Sequence, residues 1–387
     1  MIIKNAAIFG EDGQFHTGTV SIQKDIFSTV DYGNADPDFS TKEDHALTID
    51  AAGLFMIPGL IDLHFHGCKG ADFSDGTVEA IQTLATYEAQ AGVTTICPAT
   101  MTISEEELFK AMEAARNYAG CPEEYGAGFA GIHLEGPFIS PEKCGAQPLE
   151  YIRPCDDRFF HRLQEASGQQ IKIISLAPEM EGAMDFIETN KDAIVISLAH
   201  SMADYECALE AFSRGARHVT HLYNGMPDFT HRAPGIAGAA FDHNGCRVEL
   251  ICDGIHVHPS VIRATFRMFG KDRILFISDS LRATGLPDGT YTLGGQDVFV
   301  THGKAVLKNG TIAGSVSTLM DCLRYAVLEA RIPFSDALWC ATVNPAKELG
   351  IFDKCGSIRP GKCADFILLD KTMKIHAVYR NGRKIGK

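Results

Sequence analysis

The chain has 387 residues, with 35 Lys and Arg against 49 Asp and Glu, for a formal net charge of −14. Its 45% hydrophobic and 22% charged content is that of a folded globular protein and excludes wholesale disorder. The acidic balance argues against a nucleic-acid binder or an anionic-membrane binder, but leaves room for a small anionic substrate in a local basic pocket.

Residues 1–7 carry Lys4 as their one charge and no long apolar stretch, so no signal peptide is expected. No apolar run approaches the roughly 18 residues that a membrane helix needs. The 12 cysteines, from Cys68 to Cys363, form no CxxC pair and read as reduced thiols of a cytoplasmic protein. Short β-type pieces open the chain at 1–8 and 19–26 and close it at 364–370 and 375–379. Neither end can bury a hydrophobic face alone, so residues 1–54 plus 346–387 are expected to form one small β-sandwich domain.

The middle has a different texture. Apolar runs at 56–63, 93–97, 128–134, 171–176, 194–199, 217–220, 248–251 and 274–278 alternate with helical stretches. Thr77 to Ala91 and Met202 to Gly215 have helical periodicity, and Ser104 with Glu107 forms a capping-box signature. Near-continuous apolar strands suit a parallel sheet covered by helices. Eight such units predict an α/β fold, a TIM-type (β/α)8 barrel over 55–345. An open doubly wound sheet is the alternative, and no GxGxxG follows the first strand to support it. Glycines punctuate 285–313, which predicts a β-hairpin insertion at the barrel mouth.

Chemistry in such a barrel sits where strands end. The first run ends at His64 and His66, which share a face because strand side chains alternate. The third ends at Glu135, a carboxylate closing an apolar run that must be paired or coordinated. His200, His221 and Asp279 end the fifth, sixth and eighth. Each alone has a bland explanation as a cap or a satisfied polar group. Together they deliver metal-type ligands and an acid–base group at one end, which points to a metal site. The fourth run offers no lysine, so Glu135 is the candidate bridging oxygen. His133 shares its face and is either a support for the ligands or an ordinary packed histidine.

These stretches, with Pro58 to Gly67, His133 to Phe138 (HLEGPF), Gly145 to Gln147, His221 to Met226, Arg232 to Gly235, Asp253 to His256 (DGIH) and Ile312 to Ser315, run in an order that resembles the amidohydrolase superfamily. Within it they are most similar to the branch that deacetylates N-acetylglucosamine 6-phosphate. The resemblance covers nearly the whole chain. It implies a divalent metal, zinc or iron, with Glu135, His200 and His221 holding a principal ion and His64 and His66 a second, hence one or two per subunit. It implies Asp279 as catalytic acid–base, and sugar or phosphate contacts from Ala146, Asn224, Gly225, Arg232, His256, Ile312, Ala313 and Gly314. It also implies a homodimer in which Arg232 reaches the neighbouring site. Gly225 stands where relatives often carry alanine, and a looser contact is expected there.

The expected reaction is hydrolysis of the acetamide to glucosamine 6-phosphate and acetate. Water activated by the metal would attack, and Asp279 would take its proton and return it to the departing nitrogen. Two alternatives stand beside it: another amidohydrolase reaction on a nucleobase or cyclic amide, and an inactive barrel used as a scaffold.

Overall fold

The apolar runs of the middle region become parallel strands in a computed structural model that describes residues 1–33, 47–119 and 126–386. Leu60–Asp62 pairs with Val93–Ile96, which pairs with Gly128–Phe129. The third run is interrupted at Ala130 and Gly131 and resumes as Ile132–Glu135. From there the order is Ile171–Leu176, Val195–Leu198, His218–Val219, Arg247–Ile251 and Ile274–Ile277, each parallel to the last. A parallel bridge between Ala99 and His133 joins the second strand to the third. Helices connect the strands, giving an α/β fold whose strand residues are almost all buried.

Local sequence explains the helix starts. Thr77 accepts the Ala80 N–H at 3.1 Å ahead of Val78–Gln90, and Asp204 accepts the Cys207 N–H at 2.9 Å ahead of Tyr205–Arg214. Ser104 and Glu107 exchange the two reciprocal capping bonds at the start of Glu105–Ala119.

Both chain ends enter one eight-stranded sheet. Ile2–Phe9 lies antiparallel to Phe15–Gln23, which continues to Ile26–Tyr32. On its other side Ile2–Phe9 runs parallel to Phe55–Pro58, and Phe366–Leu369 pairs antiparallel with that strand. Ile3, Val20, Phe27, Met56, Phe366 and Leu368 share a core separate from that of the parallel strands. Ala346, Leu349 and Cys355 instead pack with Ile61, Ile173, Val195 and Leu275, under the parallel array.

The insertion contains the expected hairpin and extends it by one strand. Gly289–Leu293, Gln296–Thr301 and Lys304–Leu307 form a three-stranded antiparallel meander. The reason is a second tight turn: His302 and Gly303 both take positive φ, 50° and 77°, and send a third strand back. No described helix is long and apolar enough to cross a membrane.

Candidate active site

Four of the candidate residues share one placement. His64, His200, His221 and Asp279 each lie two residues beyond the last residue of a parallel strand, and Glu135 is the last residue of its own. His200, His221 and Asp279 have left-handed backbones, φ 43°, 31° and 50°. That region is costly for residues with a Cβ and persists where surrounding contacts impose it, typically at functional sites.

The backbone contacts press the rings inward. His200 Nδ1 lies 2.8 Å from the Lys143 carbonyl and His221 Nδ1 lies 3.1 Å from the Asn224 carbonyl. A carbonyl only accepts, so both Nδ1 atoms hold a proton and both Nε2 atoms face the interior. There the two Nε2 atoms stand 3.1 Å apart, and Glu135 Oε1 is 3.3 Å from one and 3.1 Å from the other. Gly225, at φ 61°, carries no side chain, and a Cβ there would meet His200 Nδ1 at 3.0 Å. A methyl group there would fit only with a shift of a few tenths of an ångström, so the glycine leaves slack between this loop and the ring.

His64 and His66 add a second half. His66 Nε2 is 3.3 Å from Glu135 Oε2 and 3.4 Å from Asp279 Oδ1. His64 Nε2 is 3.5 Å from Glu135 Oε1 and 3.7 Å from Asp279 Oδ1, and has no hydrogen-bond partner among the described residues. Glu135 thus faces both halves. Burial opposes the charge on His64, yet Glu249 and Glu135 carry it up to about 9. Burial likewise opposes ionisation of Glu135, but the neighbouring imidazoles hold its carboxyl well below the usual range. The cluster draws positive charge inward.

A cavity of about 310 Å³ opens over this cluster. His66, Glu135, Ala146, His200, His221, Asn224, Gly225, His256, Asp279, Ile312 and Gly314 line it, bringing together most of the residues singled out in the sequence. His64 lies just beneath, fully buried. Two further candidates do not line it either. Ala313 is buried, and Arg232 lines a separate groove with Met202, Asp204 and Tyr205. His256 is held by Asp253, whose Oδ2 accepts from Nδ1 at 2.7 Å.

The sequence profile of the amidohydrolase family matches residues 55–385. The chain belongs to the amidohydrolase family. This amidohydrolase is 38% identical over 379 residues to N-acetylglucosamine-6-phosphate deacetylase of Bacillus subtilis, covering 97% of this chain and 94% of that one. It is 34% identical to N-acetylgalactosamine-6-phosphate deacetylase of Escherichia coli O157:H7, covering 85% and 87%. Among solved structures, N-acetylglucosamine-6-phosphate deacetylase from Pasteurella multocida superposes with a TM-score of 0.92 at 28% identity, covering 100% and 99%. A mutant of the Mycobacterium smegmatis deacetylase in complex with N-acetyl-D-glucosamine-6-phosphate gives a TM-score of 0.90 at 31% identity, covering 100% and 99%.

Membership of the amidohydrolase family implies a divalent metal, and the residues present fit one. The two inward Nε2 atoms, 3.1 Å apart, and Glu135 Oε1, 3.3 and 3.1 Å from them, present two imidazole nitrogens and a carboxylate oxygen to one point, a donor set that suits a divalent cation. The orphaned His64 Nε2 is a further donor aimed into the same space. Ligand-type atoms gather in two groups here, Glu135 with His200 and His221, and His64 with His66 and Asp279.

Two supporting residues of the amidohydrolase were not singled out in the sequence. Gln147 donates to Glu135 Oε2 at 2.6 Å. Glu249, wholly buried, accepts from His64 Nδ1 at 2.8 Å. The signal for Glu249 was there: a carboxylate inside an apolar run must be paired, by the same reasoning that picked out Glu135.

Proposed function

We propose that this amidohydrolase hydrolyses the acetamide of N-acetylglucosamine 6-phosphate, giving glucosamine 6-phosphate and acetate. The observation that carries the reading is the cavity floor, where Glu135, His200 and His221 turn their ligand atoms to one point with Asp279 beside them. The names of relatives that align along nearly the full chain support the substrate.

Glu135, His200 and His221 would hold the principal ion, and His64 with His66 a second. Nitrogen and carboxylate donors suit zinc and iron alike. A bound divalent ion supplies Lewis-acid polarisation of the acetamide carbonyl and lowers the pKa of water toward about 7. The other steps belong to the chain. Asp279 accepts a proton from the attacking water as the new C–O bond forms, then delivers it to the amide nitrogen as the C–N bond breaks. Its carboxyl suits the first role: burial would raise its pKa, but the His66 hydrogen bond and the charges of His64 and His66 keep it lowered and ionised. His256, anchored on Asp253, and Asn224 offer polar contacts on the cavity wall for the sugar phosphate, beside the backbone of Ala146, Gly225 and the Ile312 to Gly314 turn.

Arg232 lines a groove separate from its own cavity, and Met202 beside it is 47% exposed. This supports a homodimer in which Arg232 serves the neighbour's phosphate. Hydrogen bonds from Asp279 N to His64 O (3.0 Å) and from His66 N to Ser280 O (2.7 Å) link the last strand to the first and support a closed (β/α)8 barrel. The shared terminal core supports a small domain of residues 1–54 plus 346–387, with the strand Phe55–Pro58 added to its sheet and the segment 346–355 tucked under the barrel. Free thiols among the described cysteines support a cytoplasmic home.

The test is an assay of the purified, metal-loaded protein. N-Acetylglucosamine 6-phosphate should turn over far faster than the unphosphorylated sugar, adenine or dihydroorotate. Equal turnover with and without phosphate sinks the substrate assignment. Faster turnover of N-acetylgalactosamine 6-phosphate, the substrate named for one relative, would move it to the C4 epimer.

A further inference from the structure

A carboxylate that no substrate can touch stands behind the ligand cluster. Glu249 sits in the seventh parallel strand, Arg247–Ile251, with its side chain fully buried. One of its oxygens, Oε2, receives two donors: His64 Nδ1 at 2.8 Å and the backbone N–H of His221 at 3.0 Å. These donors serve different ligand groups. His64 belongs with His66 and Asp279, and His221 with Glu135 and His200.

The two bonds do different work. A carboxylate only accepts, so His64 keeps its proton on Nδ1 and leaves Nε2, which faces Glu135 and Asp279, as the nitrogen that can give up its proton to a cation. At His221 the bond pins the peptide on a residue whose φ of 31° is costly without outside support. A single oxygen atom therefore sets the tautomer of one ligand and the backbone of another.

His64, His133 and Glu249 also lie close enough to form a third ligand-type group. Proton accounting argues against a cation there. His64 cannot offer Nδ1 behind and Nε2 in front unless it becomes an imidazolate. His133 Nδ1 lies 3.1 Å from the Leu63 carbonyl, which fixes a proton on that atom too. What remains is support from behind, of the kind that metal-ligating histidines generally need.

We infer that Glu249 is a positioning residue, whose Oε2 atom ties His64 and His221 together and so holds the two ligand groups in one geometry. The inference rests on the metal-site reading above and is independent of the substrate. It separates reach from charge. Glu249→Gln keeps an acceptor oxygen at the same reach and loses the charge. Glu249→Asp keeps the charge and withdraws the oxygen by one methylene.

The experiment measures zinc affinity of the full-length protein by equilibrium competition with a chromophoric chelator, with far-UV circular dichroism to establish the folded fraction. Glu249→Asp should weaken zinc binding about 10–100-fold, the usual loss for a removed outer partner, and Glu249→Gln should stay within a few-fold of the parent. The reverse order would assign the effect to charge and overturn the inference, as would unchanged affinity in both variants. A parent protein that binds no zinc would instead remove the metal-site reading on which it rests.

Discussion

Gln147 donates its side-chain amide to Glu135 Oε2 over 2.6 Å, while its own Oε1 receives the Thr102 peptide N–H, also at 2.6 Å. Glu135 Oε1 faces His200 and His221, so the amide on Oε2 holds the carboxylate in the rotation that keeps Oε1 toward those two rings. Gln147→Leu leaves a buried N–H and a carboxylate lone pair unsatisfied, at a cost of about 1–3 kcal/mol. The expected outcome is a lower melting temperature and a turnover loss of roughly 10–100-fold with the fold intact. Metal content and steady-state kinetics check it, and a variant equal to the parent in both would deny Gln147 any hold on Glu135.

Asp279→Asn tests the proton shuttle. Asparagine fits the same volume and keeps an oxygen toward His66, but it cannot accept a proton from water. Turnover should fall by about 100–10,000-fold, the usual contribution of a positioned acid–base group, while bound metal stays near the parent level. Metal analysis and product formation on one preparation separate the two effects. Loss of metal in step with activity would make Asp279 chiefly a ligand.

Glu88 gives a stability prediction away from the site. It falls on the buried stripe of the helix Val78–Gln90 with Ile81, Leu84 and Ala85, and neither carboxyl oxygen has a partner among the described residues. Burial, with Asp62 and Asp321 adding repulsion, raises its pKa well above the ordinary carboxylate value. The folded state therefore holds a proton that the unfolded chain releases. The contribution to stability is full below the unfolded carboxylate pKa and is lost as pH rises toward the folded one. Glu88→Gln should remove this slope. Urea unfolding at about pH 5 and about pH 8 should show a smaller difference for the variant than for the parent. Identical differences would mean that Glu88 is charged and solvated in the fold.

The strand-end residues were legible because two constraints coincide there. An apolar run must end somewhere, and a polar residue at its end, as at Glu135 or His200, stands out against the run. Eight repeats of that contrast also made the alternation of strand and helix readable. Glu249 carried the same signal of a carboxylate in an apolar run, but inside the run, between the fully buried Val248 and Leu250, and without the strand-end position that marks Glu135. Gln147 stands in a stretch that carries the resemblance, but its role was not legible because it comes from a loop, where no periodicity says which way a side chain points. The left-handed backbones at His200, His221 and Asp279 carry no local signal either, for no glycine or asparagine marks them. The third strand of the insertion depended on one extra turn at His302 and Gly303, which glycine spacing alone did not distinguish from a loop.

Arg232 offers the sharpest test of assembly. It lies outside the cavity of its own chain, in a groove with Asp204, Tyr205 and Pro234. If it serves the neighbouring site, Arg232→Ala damages the partner's phosphate binding, whereas Asp279→Asn disables only the subunit that carries it. Each homodimer of these variants should then be nearly inactive. A mixed dimer restores one site, where an intact Asp279 meets an intact Arg232 from across the interface. Co-expression of the two variants in equal amounts should recover about a quarter of parental turnover, one working site in each mixed dimer. An arginine acting within its own chain predicts no recovery, because the subunit with Asp279 would still lack its phosphate contact. Differently tagged chains, purified through both tags, make the mixed species measurable on its own, and its inactivity would place Arg232 outside any shared site.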